Sequence, residues 1–406
     1  MNALSGDTYL FAEIDDKYGV YTLRELYELH KQGRAIKVPA LLNEKGEKTW
    51  VEVEDVVSFG KQKLKRITLA TTRLYMELSE DSIIPAFGTH LFYGTEKNIK
   101  LNFKRANELK VKQDVGYNDT LLLATRIPLN IPEGEQTDWE YGFALGFFLA
   151  EGWLEKRKRK NTKLSLVNLN WYAKQKGMSL EQYLNHMTDV GRVQLAVGET
   201  DFERKYIDIL KKHFDFSKPR KVKYANGYQL YSSDLNYIRL IKDYTEGHDS
   251  HTKCLKNEVF NRTKKFLGGI LDGFLAGDGN FRKNMDLFQV EITTNYRLYN
   301  DLIFLTKALG YDVHLQNGYF DKSPSSNNYY YYLRLSIFKT YHRRVALGLV
   351  KEHIKSIEDV GEKEAFNLVL KPLYPENDKR AKFNRIYFSA FGFLVSDAVK
   401  AFTKQL

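Results

Sequence analysis

Two stretches with regularly spaced small residues decide the fold. Residues 142–152 read GFALGFFLAEG, and residues 269–279 read GILDGFLAGDG. In both, a small residue recurs at every fourth position, and the last acid is followed by glycine. Because positions i, i+4 and i+8 share one face of a helix, the pattern predicts two helices whose small-residue stripes let their backbones pack closely.

The acid that ends each stretch predicts a metal site. If the two stripes pack in parallel, Glu151 and Asp278 emerge side by side at the same end of the helix pair. Two neighbouring carboxylates repel each other unless a proton or a cation lies between them. Mg²⁺ suits such a pair, with Mn²⁺ as a possible substitute, and it would activate water for phosphoryl displacement. The alternative is that the stripes only pack helices and the acids are solvated helix ends.

A second register supports an internal repeat. A strand at 193–197 precedes a helix at 202–214, and a strand at 288–292 precedes a helix at 299–309, which aligns Gln194 with Gln289. The two motif copies are separated by more residues than the two strand–helix pairs are. The first half therefore carries an insertion between Gly152 and Arg192. Each half is therefore predicted to contain a helix, strands, a second helix and further strands.

Composition narrows the class of partner. The 406 residues include 62 Lys and Arg against 51 Asp and Glu, a net charge of +11. This balance favours a polyanion, nucleic acid before a membrane surface. The single cysteine, Cys254, excludes an internal disulfide framework and a multi-cysteine zinc site. We see neither a membrane span nor a targeting signal, and expect a cytoplasmic protein of prokaryotic, archaeal or phage-type origin.

The flanks differ from the middle of the chain. Residues 1–134 and 356–406 read as short β-rich segments, whereas residues 135–355 alternate helices and strands. We therefore predict an α+β fold in which a pseudo-two-fold domain of αββαββα repeats is inserted into an all-β domain. The two half-repeats are expected at about 135–255 and 260–355.

The middle domain resembles the LAGLIDADG homing endonucleases in their monomeric, two-motif form. Residues 145–152 and 271–279 carry the resemblance. It implies that Glu151 and Asp278 bind the divalent ions with which such enzymes cut both DNA strands, and that two four-stranded sheets lie in successive major grooves. It also implies lysines beside the metals. Lys339 is the best match in the second half, the alternative being an ordinary solvated lysine. Residues 232–234 stand at the equivalent place in the first half and contain no lysine, so the second lysine is expected to be missing or displaced.

Basic and amide side chains of this domain are candidates for DNA binding, because cations neutralise phosphates and side chains on strands can read base edges. They are Lys156, Arg157, Lys158, Arg159, Lys160, Gln194, Lys221, Lys223, Gln289, Arg334 and Arg343. The run at 61–66 in the first flank is predicted to be a basic loop that adds DNA contacts or is merely a solvated turn.

The flanks resemble the two halves of an intein splicing domain, the Hint fold. Ala3 stands where the family has a nucleophilic Cys or Ser, and Ser82 stands where it has a histidine. The last residues of the splicing domain are Ser396, Asp397 and Ala398 instead of His-Asn and a nucleophile. Since alanine has no nucleophilic side chain, protein splicing is expected to be absent or crippled.

Three hypotheses follow. The first is an intein-encoded or intein-derived, Mg²⁺-dependent endonuclease that cuts double-stranded DNA at a specific site as a monomer. The second is a DNA-binding protein or maturase that keeps the scaffold and does not cut. The third is an autoprocessing intein that begins with alanine, which would need the asparagine and nucleophile that Asp397 and Ala398 do not supply.

Overall fold

A computed structural model provides the structure of the chain. It describes residues 2–43, 47–70, 74–87, 103–111, 119–124, 127, 129–155, 170–171, 174–175, 177, 179, 191–222, 227–282, 287–293, 295–322, 329–338, 344–346, 349–389, 393–396 and 398. Two compact units are present. One comprises Met1–Ile131, Phe281–Glu291 and Tyr299–Leu406, and the other Pro132–Asn280 and Ile292–Leu298.

Strands β1 to β9 all precede the first motif helix. They are β1 (Leu4–Ser5), β2 (Tyr9–Ile14), β3 (Lys17–Thr22), β4 (Ile36–Leu41), β5 (Lys48–Leu69), β6 (Tyr75–Ser79), β7 (Ile83–Phe87), β8 (Phe103–Arg105) and β9 (Thr120–Ala124). The remaining strands are β10 (Gly152–Glu155), β11 (Arg192–Val197), β12 (Arg220–Lys221), β13 (Tyr228–Ser232), β14 (Thr245–Glu246), β15 (Cys254–Leu255), β16 (Gly279–Arg282), β17 (Leu287–Thr293), β18 (Asp312–Lys322), β19 (Tyr329–Phe338), β20 (Arg344–Ala346), β21 (Leu349–Leu370), β22 (Ile386–Ser389) and β23 (Phe393–Ser396).

The α-helices in the described ranges fall mostly in the middle of the chain. They are α1 (Leu23–Lys31), α2 (Gln136–Glu151), α3 (Glu199–Glu203), α4 (Tyr206–Lys211), α5 (Leu235–Tyr244), α6 (Lys264–Asp278) and α7 (Tyr296–Ala308). None of the helices that the structure describes is long and apolar enough to cross a membrane.

The two ends of the chain form one sheet. Strands β1–β9 and β20–β23 make a 13-stranded, antiparallel assembly in which β1 pairs with both β6 and β21. Helix α1 begins at a capping box formed by Thr22 and Glu25. The Thr22 hydroxyl accepts the Glu25 amide at 3.2 Å, and the Glu25 carboxylate accepts the Thr22 amide at 2.7 Å. This capping box satisfies two backbone donors that the first helical turn leaves open.

Opposite charges face each other across the long ribbon of β5 and β21. Each strand has 22 residues, and the two pair antiparallel. The directly opposed pairs are Lys61 and Glu364, Lys63 and Glu362, Lys65 and Asp359, and Arg66 and Glu358. The prediction of a basic loop at residues 61–66 is therefore wrong. The run lies inside a strand, and opposed cross-strand charges stabilise the ribbon.

The internal repeat appears in the strand order of two four-stranded sheets. The first sheet runs β10-β11-β13-β12 and the second runs β16-β17-β19-β18. In both sheets, the fourth strand along the chain lies between the second and the third. The predicted repeat of strands and helices is thus confirmed, and with it the α+β fold class.

The helices that follow β11 and β17 differ in continuity. Helix α7 is one element, close to the predicted 299–309, whereas the predicted helix at 202–214 is divided into α3 and α4. Lys205 between them adopts a left-handed conformation with φ of 59°, which interrupts the helical path.

Candidate functional site

The glycine stripes bring α2 and α6 together in parallel. A Cβ atom added at Gly273 would overlap the carbonyl oxygen of Phe143 and lie 2.8 Å from the backbone nitrogen of Phe147. Gly146 approaches the Ile270 backbone equally closely. Residues later in α2 thus contact residues later in α6, so the two helices run in parallel, as the stripes predicted. Any side chain beyond hydrogen at these positions would push the backbones apart.

The last turns place the two acids at the same end of the pair. A Cβ atom at Gly277 would lie 2.6 Å from Cβ of Ala150, 2.9 Å from Cγ of Glu151 and 3.3 Å from its Oε1. Asp278 directly follows Gly277 at the end of α6. The glycine after each acid ends its helix in an extended conformation, with φ of −103° at Gly152 and −90° at Gly279.

Burial and mutual repulsion disfavour ionisation of the pair. Glu151 is half-buried, and burial together with the charge of Asp278, and then of Asp201, raises the pKa of Glu151 to about 8. Asp278 keeps exposed surface, so a solute can reach it. The protein that surrounds the remainder of its carboxyl raises the pKa of Asp278, while Lys253 opposes the shift.

Lys253 is a component of the site that the sequence analysis missed. Its side chain is 1% exposed, and its Nζ donates to the carbonyl oxygens of Phe148 at 3.0 Å and Gly152 at 2.6 Å. Burial lowers the pKa of Lys253, and the charges of Asp278 and Glu151 oppose that shift. The sequence left the second lysine missing or displaced from residues 232–234. Lys253, in the loop between β14 and β15, is a candidate for the displaced lysine.

The two acids fit a divalent cation. Carboxylate oxygens are the ligands that Mg²⁺ and Ca²⁺ prefer, and Mg²⁺ commonly uses one or two carboxylates together with water and substrate phosphates. A cation between Glu151 and Asp278 would relieve the repulsion that raises the pKa of Glu151. Within the described ranges, no group of three or more His, Cys, Asp or Glu is placed to hold a metal. Water and substrate phosphate oxygens commonly complete the coordination of Mg²⁺ at such a pair.

One face of the first sheet carries basic, aromatic and amide side chains. Arg192 of β11 lies with its guanidinium 4.2 Å from the Tyr231 ring, and Arg220 of β12 lies 5.4 Å from the same ring. The Tyr231 hydroxyl donates to Oε1 of Gln229 at 2.6 Å. The alternating residues Val193, Leu195 and Leu230 are fully buried on the other face. Strand alternation could have identified this polar row from the sequence.

The predicted DNA-binding residues have different surroundings. Gln194 is only 5% exposed, which argues against direct base contact, and Gln289 of β17 is half-buried. Lys221 is exposed in β12, and Arg334 belongs to β19. Several predicted residues lie outside the described ranges: Lys156, Arg157, Lys158, Arg159, Lys160, Lys223, Lys339, Arg343 and Asp397.

The positions that resemble a splicing centre form a connected hydrogen-bond network. The Ser82 hydroxyl accepts the Ala3 amide and donates to the Ala3 carbonyl oxygen, each at 3.0 Å. Asn367 donates through Nδ2 to the carbonyl oxygens of Asn2 at 2.9 Å and Ser396 at 3.1 Å. The Ser396 hydroxyl is the buried side-chain group left without a hydrogen-bond partner among the described residues.

The Ala398 amide donates to the Leu368 carbonyl oxygen at 2.8 Å, which ties the end of this segment to β21. Ala3 and Ala398 thus occupy the two positions where the resemblance expects nucleophiles. Neither alanine has a nucleophilic side chain.

Comparisons with known proteins give low-identity similarities. No family model matches the sequence. Over 240 residues, 57% of the chain, it is 24% identical to the DNA-directed RNA polymerase subunit Rpo1C of Methanocaldococcus jannaschii, and the chain spans about a quarter (24%) of that subunit.

Two solved structures are similar to parts of the chain. An intein from a hyperthermophile is 22% identical, covers 30% of this chain and 73% of its own, and has a TM-score of 0.24. I-DmoI, solved in complex with DNA and Ca, is 13% identical, covers 50% of this chain and 85% of its own, and has a TM-score of 0.30. The chain is thus similar to both classes of protein that its motifs indicated, inteins and homing endonucleases.

Proposed function

We propose that this chain is a site-specific endonuclease that makes divalent-metal-dependent double-strand cuts in DNA and acts as a monomer. The observation that carries the proposal is the placement of Glu151 and Asp278 at one end of the glycine-packed helix pair, with Lys253 buried beside them. The activity is assigned to residues 135–355, whose boundaries remain a prediction. The similarity to homing endonucleases supports the same assignment.

Each group of the site has a distinct task in this proposal. Glu151 and Asp278 would hold divalent ions. Such an ion, when bound, lowers the pKa of a bound water and neutralises charge on a transferring phosphate. Lys253 places its own ammonium group next to the acids. There it offsets the repulsion between the two carboxylates and stabilises the negative charge that develops on the phosphate. Its two hydrogen bonds, to the carbonyl oxygen of Phe148 in α2 and to that of Gly152 at the start of β10, keep the ammonium in place.

We assign the recognition of DNA bases to the polar face of the first sheet. Arg220 is exposed and its planar guanidinium can bind a guanine edge through two hydrogen bonds. Gln229, oriented by Tyr231, can do the same for adenine. Lys221 and the basic run 156–160 would neutralise phosphates, so DNA affinity should fall steeply with salt.

The test works without a known target sequence. The purified chain is incubated with a randomised DNA duplex library in Mg²⁺ or Mn²⁺, and cut ends are sequenced to define a site. Glu151→Gln and Asp278→Asn should abolish cutting at that site while retaining binding. Glu203→Gln, an exposed acid in α3, is the matched control and should cut normally.

Two outcomes would oppose the proposal. If the wild-type chain binds a specific site in Mg²⁺ and Mn²⁺ without cutting it, the protein is a non-cleaving DNA-binding protein. If both acid variants cut at the wild-type rate, the site lies elsewhere.

We further propose that the flanking sheet does not splice, because Ala3 and Ala398 lack nucleophilic side chains and Ser82 replaces a histidine. A fusion with a different tag on each flank should stay one chain of unchanged mass. Formation of a product that joins the two tags would refute this second proposal.

A further inference from the structure

A tight loop, residues 247–253, carries Lys253 to the site. The short strands β14 and β15 bracket it, with Thr245 opposite Leu255. Gly247 has φ of +76°, and a Cβ atom there would overlap the Thr252 carbonyl, so only glycine fits. Inside the loop, Oδ1 of Asp249 accepts the Thr252 amide at 3.0 Å and the Thr252 hydroxyl at 2.8 Å. The loop therefore has one compact conformation.

Contacts from both half-repeats hold this loop. In the first half, the Leu154 amide of β10 donates to the His248 carbonyl oxygen at 3.0 Å. In the second half, Asn295 lies between β17 and α7. Its Nδ2 donates to the carbonyl oxygens of Lys253 at 2.7 Å and Ser250 at 3.1 Å. The backbone of Lys253 is thus fixed by the opposite half-repeat.

Asn295 performs two tasks with the two ends of its amide. Oδ1 accepts the Leu298 amide at 3.1 Å and caps α7, while Nδ2 binds the loop. The residue is 4% exposed, so water cannot readily replace these hydrogen bonds. An aspartate would cap the helix equally well, because Asn and Asp are both favoured N-caps. It would also place an acceptor opposite two carbonyl oxygens. The two tasks can therefore be separated by one isosteric substitution.

We infer that Asn295 is a positioning residue that holds Lys253 beside the acid pair and thereby couples the second half-repeat to the catalytic lysine of the first. This inference rests on the proposed endonuclease function. Asn295 touches neither DNA nor metal in this role and acts through the loop alone. Lys253 is then correctly placed only when the two half-repeats are packed together.

The experiment compares Asn295→Asp with Asp234→Asn. Asp234 caps α5 through Oδ1, and its Oδ2 accepts the Asp215 amide at 2.9 Å, so Asp234→Asn is the reverse isosteric exchange at a cap that does not hold the loop. Under single-turnover conditions Asn295→Asp should cut about 10- to 100-fold more slowly, since a misplacement near 1 Å can cost about that factor. DNA affinity in Ca²⁺ should change less than about twofold. Asp234→Asn should cut at the wild-type rate.

A double-mutant cycle separates positioning from general damage. If Asn295 acts through Lys253, then Lys253→Met and the double variant with Asn295→Asp should have equal cutting rates. Independent, multiplying losses would overturn the inference. Asn295→Ser, which keeps a capping hydroxyl without the amide donors, should behave like Asn295→Asp and provides a second variant if the first fails to fold.

Hydrogen exchange gives a readout without metal or DNA. The Lys253 amide donates to the Asp249 carbonyl oxygen at 2.9 Å and should be protected in the wild-type chain. In Asn295→Asp it should exchange at least about tenfold faster, because the loop loses an anchor. Unchanged exchange and unchanged cutting in an active wild-type background would refute the positioning role alone. A wild-type chain that does not cut would instead refute the proposed function.

Discussion

The glycine contact between α2 and α6 makes a quantitative prediction for Gly273→Ala. The added methyl group would overlap the Phe143 carbonyl oxygen and lie 2.8 Å from the Phe147 nitrogen. Ordinary contacts of this kind begin at about 3.4 Å, so relief of the contact with the Phe147 nitrogen alone requires the helices to separate by about 0.6 Å. Both obstacles are backbone atoms, which no rotamer change can move.

Two opposing terms set the magnitude. Replacing glycine by alanine inside a helix favours folding by about 1 kcal/mol. Overpacking typically costs about 1–3 kcal/mol, and a clash between backbones belongs at or above the upper end of that range. We therefore expect Gly273→Ala to be less stable by about 2 kcal/mol or more. The same separation moves Asp278 away from Glu151, so cutting should fall about 100-fold.

Gly268 provides the matched control on the same helix. A Cβ atom there has no neighbour within 4 Å among the described residues, so Gly268→Ala should stabilise the protein by up to about 1 kcal/mol and leave cutting unchanged. Urea unfolding and single-turnover cleavage measure both variants. If Gly273→Ala and Gly268→Ala proved equally stable and equally active, close approach of the glycine stripes would not be what holds the acids together.

Further predictions concern four single side chains. Burial would raise the pKa of Glu77, but hydrogen bonds from Lys363 and Arg66 outweigh it and hold that pKa below its usual value. Glu77→Gln should thus lose about 1–3 kcal/mol at pH 7. Urea titrations should find this difference shrinking as pH falls from about 4, where the carboxyl of the unfolded chain takes up a proton, through the lower pKa of the folded carboxyl. Arg220→Lys should relax discrimination at one base pair by about 10- to 100-fold in binding competitions, whereas Lys221→Ala should weaken all sequences alike and lower the salt slope by about one. Ser82→Ala should destabilise the fold by about 1–3 kcal/mol in urea, because two buried backbone groups lose a partner, and unchanged stability would show that the hydroxyl has no structural role.

The helix pair and its acids could be predicted from the sequence because a single local rule governs them. Small residues four positions apart must share a helix face, and two copies in one register must align their ends. The succession of helix, strands, helix and strands in each half followed from the same repeat. These features depend on spacing along one element, which the sequence states directly.

Lys253 could not be predicted in this way. It belongs to no periodic element, and its role arises from a loop folded back onto the end of α2. The family resemblance places the expected lysine at residues 232–234, at the end of β13, whereas Lys253 follows α5. Its anchor, Asn295, is 42 residues further along the chain. Such long-range side-chain contacts leave no pattern that a window of sequence could reveal.

The ribbon of β5 and β21 shows why local charge can mislead. Residues 61–66 contain four cations, and taken alone they suggest a site for a polyanion. Their partners come from a strand about 300 residues away along the chain, and Lys61, Lys63, Lys65 and Arg66 each face an acid. A net charge of +11 therefore has to be located residue by residue after pairing.

Because the cations of the ribbon face acids, the first sheet is the better candidate for DNA binding. Arg192 there is held by Glu155 at 2.7 Å, and Arg220 has no ion pair in the described part of the chain. An unneutralised guanidinium on a solvent-facing strand can give up its hydration to a base edge without breaking an existing salt bridge, which favours Arg220 over Arg192 as the reader. The same reasoning predicts that loss of Arg192 would act mainly through the orientation of Tyr231. Its substitution should therefore alter specificity less than that of Arg220.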